Sequence, residues 1–214
     1  MPLIKALRTE AMKEEEWMEL RERTGVTWLE ANEELTLQRM IDENLGKHLE
    51  IIEEVSVKAA KKFKLEKDLI AMKMEWKDIQ FELFPYKSTC VLKGIDVVQT
   101  KLDDHTMTTQ SMLGSQFMKG KLRQVTREWE KKLLEIMETL EEVMKTQRSW
   151  MYLEPIFGSD DITKKMPTEA AKFEWVDTLW KNTMEGSQLE PGVLDLIERE
   201  NIRQNFEQAN LKLD

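Results

Sequence analysis

Residues 119–154 read KGKLRQVTREWEKKLLEIMETLEEVMKTQRSWMYLE. Leu122, Val125, Trp129, Leu133, Ile136, Leu140, Val143, Gln147 and Trp150 recur at steps of three and four. That spacing is one face of a helix, close to the 3.5-residue repeat of a helix packed along a long partner seam. Charged side chains fill the intervening positions. At 1.5 Å per residue such a helix spans roughly 50–55 Å, longer than a compact globular core needs. Pro155 disfavours helical backbone at Glu154, so the helix is expected to end or kink there.

Outward from this helix the same pattern repeats. Residues 3–24 predict a first helix stopped by Thr24-Gly25, and 35–44 a short second one closed at Gly46. Residues 47–80 predict a long third helix with Ile52, Val55, Ala59, Phe63, Leu69, Met72, Trp76 and Ile79 on one face. Glu54 and Lys58 stand four apart on it in the favourable order. In IQFELFPYKSTCVLKGID (79–96) the apolar alternation of Phe81 and Leu83 breaks at Pro85 and resumes at Val91 and Leu92. This predicts an antiparallel hairpin near 79–93, the one β signal in the chain.

A further helix is expected over 95–113, interrupted by Gly114-Ser115. After Pro155, GSDDITKKMP reads as a loop with a cap and a short helical turn. Pro167 opens another helix, with Glu169 in its first turn and Phe173, Val176, Trp180 and Met184 on one face, ending at Gly186. A last amphipathic helix runs from 193 to the end with Leu194, Ile197, Ile202, Phe206 and Leu211. Its apolar face has no terminator and is expected to be covered by further chain, by a partner or by self-association. The fold class is therefore mainly α: an elongated multi-helix bundle with one small β-hairpin. Three segments make up one elongated domain: N-terminal helices (1–46), a long-helix bundle with the hairpin (47–158) and C-terminal helices (159–214).

Composition agrees with long elements and few turns: among 214 residues there are 8 Gly and 5 Pro, with 41% hydrophobic and 34% charged. The net charge of −9, with no basic stripe, argues against nucleic acid as a partner. Cys90 is the single cysteine, so no internal disulfide forms and a reducing compartment fits. No apolar run of about 18 residues exists to cross a membrane, and the N-terminus lacks the apolar core of a secretory signal.

Chemistry is equally sparse. No glycine-rich phosphate loop occurs. His48 reads as a solvated first-turn residue. His105 follows Asp103 and Asp104, but adjacent positions do not face each other on a helix, so it reads as a structural or exposed histidine rather than a base. Asp160 and Asp161 lack the spaced oxygens of a calcium loop. Cys90 reads as a buried, inert thiol, and the runs KEEE (13–16) and LEEV (140–143) as solvated helix faces. No catalytic residue, cofactor or metal is expected.

The motifs are better read as packing. QRSWMYLEPIFGSDDITKKMPTEAAKFEWVDTLWKNTM (147–184) resembles the linker region of dynein heavy chains, through Gln147, Trp150, Tyr152, Leu153, Glu154, Ile156, Phe157, Asp161, Ile162, Pro167, Glu169, Phe173, Val176, Asp177, Trp180 and Met184. Asp103, Asp104, Gln110, Met112 and Ser115 extend the likeness, as do Leu65, Glu66, Leu69, Met72 and Trp76. The flavour is axonemal. Departures from the family pattern are Thr9 to Met12 in place of an Asn-Pro break, Glu15 and Glu16 in place of Arg-His, Lys62 where an acid is common, and Val143 where a tryptophan is usual. Without the Asn-Pro break the first helix is expected to run through.

The resemblance covers the first half of a linker. It implies a non-catalytic, force-transmitting lever arm of a microtubule motor in a ciliary or flagellar axoneme. The partners it implies are the ATPase ring, the rest of the linker and, at the tail side, other dynein subunits, with no nucleic acid and no membrane. Trp150, Tyr152, Glu154, Phe157, Pro167 and Trp180 become structural or hinge positions around a corner at 155–166, where aromatic groups lock a bend between helices. The rival reading is a free-standing helical interaction module without motor activity.

Overall fold

The computed structural model describes residues 2–33 and 35–214. The fold is mainly α, with ten α-helices and one two-stranded antiparallel sheet among the described residues. The chain forms two compact units, Met1–Ile70 with Gly114–Gln124, and Ala71–Leu113 with Val125–Asp214.

The first unit holds α1 (Pro2–Leu7), α2 (Glu14–Thr24), α3 (Leu37–Asp42), a 3-10 turn (Leu45–His48) and most of α4 (Leu49–Asp78). Its core gathers Leu7, Trp17, Leu20, Leu29, Leu45, Ile52 and Val55. Ser56 Oγ ties α4 to α1 by donating to the Ala6 carbonyl at 2.9 Å. The uninterrupted first helix expected over 3–24 is not formed: the chain turns between Arg8 and Lys13. Thr9 makes the turn, its Oγ1 accepting from Ala11 N–H at 3.3 Å and its carbonyl from Met12 N–H at 3.1 Å. Lys13 is extended (φ −100°, ψ 177°), and Glu16 reaches back to accept its N–H at 3.1 Å, half of a capping box. The acidic run Glu14–Glu16 is thus a helix start, where carboxylates suit the dipole. Glu16 itself is buried.

In the second unit, β1 (Glu82–Tyr86) and β2 (Thr89–Lys93) pair antiparallel with Leu83 opposite Leu92 and Pro85 opposite Cys90. Lys87, at the tip, is left-handed with φ 49°. The helix α5 spans Ile95–Leu113, as its bounding glycines predict. The longest element, α6 (Gly120–Phe157), lies in this unit from Val125 onward and buries Trp129, Leu133, Ile136, Leu140, Val143, Gln147 and Trp150 along one seam. It does not end at Glu154. Pro155 lies inside its last turn, where the missing N–H costs one bond and Gly158 N–H still reaches the Glu154 carbonyl at 3.0 Å.

Beyond it come α7 (Asp160–Lys165), α8 (Pro167–Leu189), α9 (Val193–Ile197) and α10 (Ile202–Leu213). Helix α8 runs through Gly186 rather than stopping there. That glycine makes room for the Arg199 guanidinium: a Cβ would lie 2.9 Å from Nη1, which donates to the Thr183 carbonyl at 2.9 Å. The single last helix expected from 193 onward is two helices, parted where Asn201 turns left-handed with φ 54°. Most of its apolar face is covered from within the chain. Ile197, Ile202 and Phe206 are buried, and Phe206 meets Trp180 of α8 edge-on at 6.2 Å; Leu211 remains outside, 75% exposed.

Candidate functional site

Of the positions singled out by the sequence, Trp150 and Trp180 meet where α6, α8, α10 and the hairpin come together, all within the second unit. Trp150 and Trp180 are buried and stacked, ring centroids 5.5 Å apart at 24°. Each indole N–H has its own acceptor: Trp150 donates to Asp177 Oδ1 at 3.0 Å, and Trp180 to the Cys90 carbonyl at 3.2 Å. Tyr86 of β1 closes on Trp150 edge-on at 5.4 Å. The stack therefore links four elements, and each tryptophan keeps an apolar body in the core and a satisfied N–H.

Gln147, three residues before Trp150, fastens the hairpin to α6. Leu92 N–H donates to Gln147 Oε1 at 2.7 Å, and Gln147 Nε2 donates back to the Leu92 carbonyl at 3.0 Å. At the preceding residue, Thr146 Oγ1 donates to Asn210 Oδ1 at 2.9 Å, and Asn210 Nδ2 to the Glu142 carbonyl at 3.0 Å, fixing α10 on the same helix. These amides carry as much of the clamp as the indoles do. Periodicity places Gln147 on the seam but does not point to Leu92, 55 residues away.

The other expected positions scatter around this centre. Glu154 is held by Lys87 from the hairpin tip. Phe157 stacks on Phe173 at 5.1 Å and 17°. Tyr152 is 73% exposed and stands outside the cluster. Pro167 occupies the first turn of α8, exposed to solvent. The stretch 155–166 is mostly helical, since α6 continues to Phe157 and α7 fills Asp160–Lys165 with no buried residue. Its one aromatic lock is the Phe157–Phe173 pair.

Titratable groups form no reactive centre in this cluster. The Cys90 thiol is pushed up by burial, with Gln188 Nε2 3.5 Å from its sulfur pulling the other way. Among the described residues no three His, Cys, Asp or Glu side chains gather as a metal site, and no helix is long and apolar enough to cross a membrane.

The family model for dynein heavy chain, N-terminal region 2, matches residues 1–214. The chain belongs to the dynein heavy chain family. It is 34% identical over 216 residues to dynein axonemal heavy chain 3 of Homo sapiens, covering 100% of this chain and 5% of that protein. Dynein axonemal heavy chain 12 of Homo sapiens is 35% identical over 205 residues, covering 95% of this chain and 7% of that protein. Dynein axonemal heavy chain 1 of Mus musculus is 34% identical over 216 residues, again 100% and 5%. The chain thus spans 5% to 7% of the length of these relatives.

Two departures from the dynein pattern meet in the first unit. Lys62 Nζ lies 3.1 Å from Glu16 Oε1 and also pairs with Glu15. The acids on α2 and the base on α4 answer each other. Burial pulls the Lys62 amine down, but the two carboxylates outweigh it and hold it above its usual range. Val143, a third departure, is fully buried in the α6 seam.

Proposed function

We propose that this dynein heavy chain region is a non-catalytic, force-transmitting arm, the first half of a motor's linker, working in a ciliary or flagellar axoneme against the ATPase ring and the remaining linker. Other dynein subunits would attach at its tail side. The observation that carries the reading is the α6 seam: one unbroken helix with its apolar face buried from Trp129 to Trp150, clamped at its C-terminal end by the Trp150–Trp180 stack and the Gln147 amide. A lever must resist bending, and a helix resists it when its neighbours are fixed to it at several points along one face. Axonemal heavy chains among the relatives support the location. In this reading Trp150, Glu154, Phe157 and Trp180 hold the angle between α6 and α8, and Pro167 sets where α8 begins.

The test is made in a heavy chain that carries this sequence and moves microtubules. Leu140→Gly softens the seam, and Gln147→Ala loosens the clamp. The expected result is slower microtubule gliding at unchanged ATP turnover per head. Unchanged gliding in both variants, or turnover that falls in step with gliding, overturns the lever.

A further inference from the structure

Outside the clamp, one hydrogen bond in the second unit fixes a protonation state. The buried indole N–H of Trp76, on α4, donates to His105 Nδ1, on α5, at 2.8 Å. The two rings meet edge-on with centroids 6.1 Å apart. An indole nitrogen can only donate, so Nδ1 must present a lone pair. The proton of the neutral ring then sits on Nε2, which lies 3.3 Å from Glu75 Oε2. Glu75 is in turn paired with Lys101. The charged groups acting on the imidazole are thus Glu75 from α4 and Lys101 and Asp104 from α5. Met72, one turn before Trp76 on α4, accepts from Trp129 N–H of α6 at 3.0 Å. Thr109 Oγ1 also approaches Met72 Sδ, at 3.4 Å, and donates to the His105 carbonyl at 2.7 Å.

We propose that His105 is a proton-gated latch between α4 and α5, closed while its Nδ1 accepts the Trp76 indole hydrogen and opened when Nδ1 takes a proton from solvent. The incoming proton occupies the lone pair; the indole keeps its own hydrogen and loses its acceptor. Two N–H groups then face each other at hydrogen-bond distance, and the fully buried indole has no water to turn to. Relief comes only if the imidazole swings away from α4, which loosens α5. Burial lowers the imidazole's affinity for a proton, Glu75 and Asp104 raise it, Lys101 lowers it, and the balance is downward. A histidine depressed in the fold stabilises it fully above the unfolded value of about 6.5, and that stability is lost as pH falls through the folded value. The latch is independent of the lever reading and needs no motor to be tested.

The test is nitrogen NMR on the whole chain labelled at histidine and tryptophan. His48→Gln leaves His105 as the single imidazole. At a pH of about 7.5 the expected tautomer has Nε2 protonated and Nδ1 bare. On acidification the Trp76 indole N–H signal should move and begin exchanging with solvent at the same midpoint as the imidazole, below the ordinary value. Trp76→Phe should raise that midpoint. Where that core variant does not fold, Glu75→Gln, changed at an exposed side chain, should lower it. A proton on Nδ1 at neutral pH, or an indole signal that ignores the imidazole titration, overturns the proposal on the unmutated pair itself.

Discussion

The carboxamide of Gln147 satisfies both main-chain groups of Leu92, and nothing apolar can replace it. Gln147→Leu keeps the volume but strands a buried N–H and a buried carbonyl. At about 1–3 kcal/mol for each group, the expected loss is about 2–6 kcal/mol, read as a lower urea midpoint with an unchanged slope. Lys62→Glu would set a third carboxylate against Glu15 and buried Glu16. An expected loss of about 1–2 kcal/mol should appear in the same measurement. Glu54 gives a pH signature. Hydrogen bonds from Arg23 and then Lys58 hold its carboxyl down to about 2. Its contribution is present above the unfolded value of about 4.3 and fades as pH falls through the folded one. Carbon NMR of the Glu54 carboxyl should show a midpoint near the depressed value; one near the ordinary carboxylate range would mean that the pair does not form.

At the scale of elements, α6 is where the burial pattern can be tested. Leu140 is 1% exposed and Leu134 is 40% exposed on the same helix. Leu140→Ala should cost about 2–5 kcal/mol, while Leu134→Ala should stay within about 1 kcal/mol. Comparable losses at both would mean that the seam faces elsewhere. Elements with strong punctuation were legible in advance. Gly94, left-handed at φ 65°, and Gly114 bound α5, and Pro85 within an alternating run marks the hairpin. The breaks that escaped are made by residues that punctuate only in context. Thr9 and Lys13 carry no glycine or proline, and the Glu16 contact that opens α2 looks like one more surface acid until its partner N–H is known. Asn201 breaks the terminal pattern because asparagine tolerates the left-handed region, a permission that composition does not reveal. Gly186 misled in the other direction, being a packing gap for Arg199 rather than a stop.

For the molecule as a whole, the dynein likeness was legible because its motif residues are the packing residues. Trp150, Asp177 and Trp180 stand in the motif and also in one hydrogen-bonded stack. What the motif could not show was which elements the stack would join, since Tyr86, Cys90 and Phe206 come from distant stretches. The purified 214-residue chain is expected to release no phosphate from ATP above a buffer control, and steady turnover would return the molecule to the enzyme class.

The same amide and indole have a protective side. An unpaired strand edge is a template onto which another chain can add a strand. On β2 the Leu92 main chain is already held by Gln147 and the Cys90 carbonyl by Trp180, while β1 carries Pro85, which has no N–H to offer. These contacts cover part of each edge of the two-stranded sheet against a further strand. Removing the Gln147 side chain is expected to reopen that route as well as weaken the fold, read as thioflavin-positive material on concentration that the unmutated chain does not form.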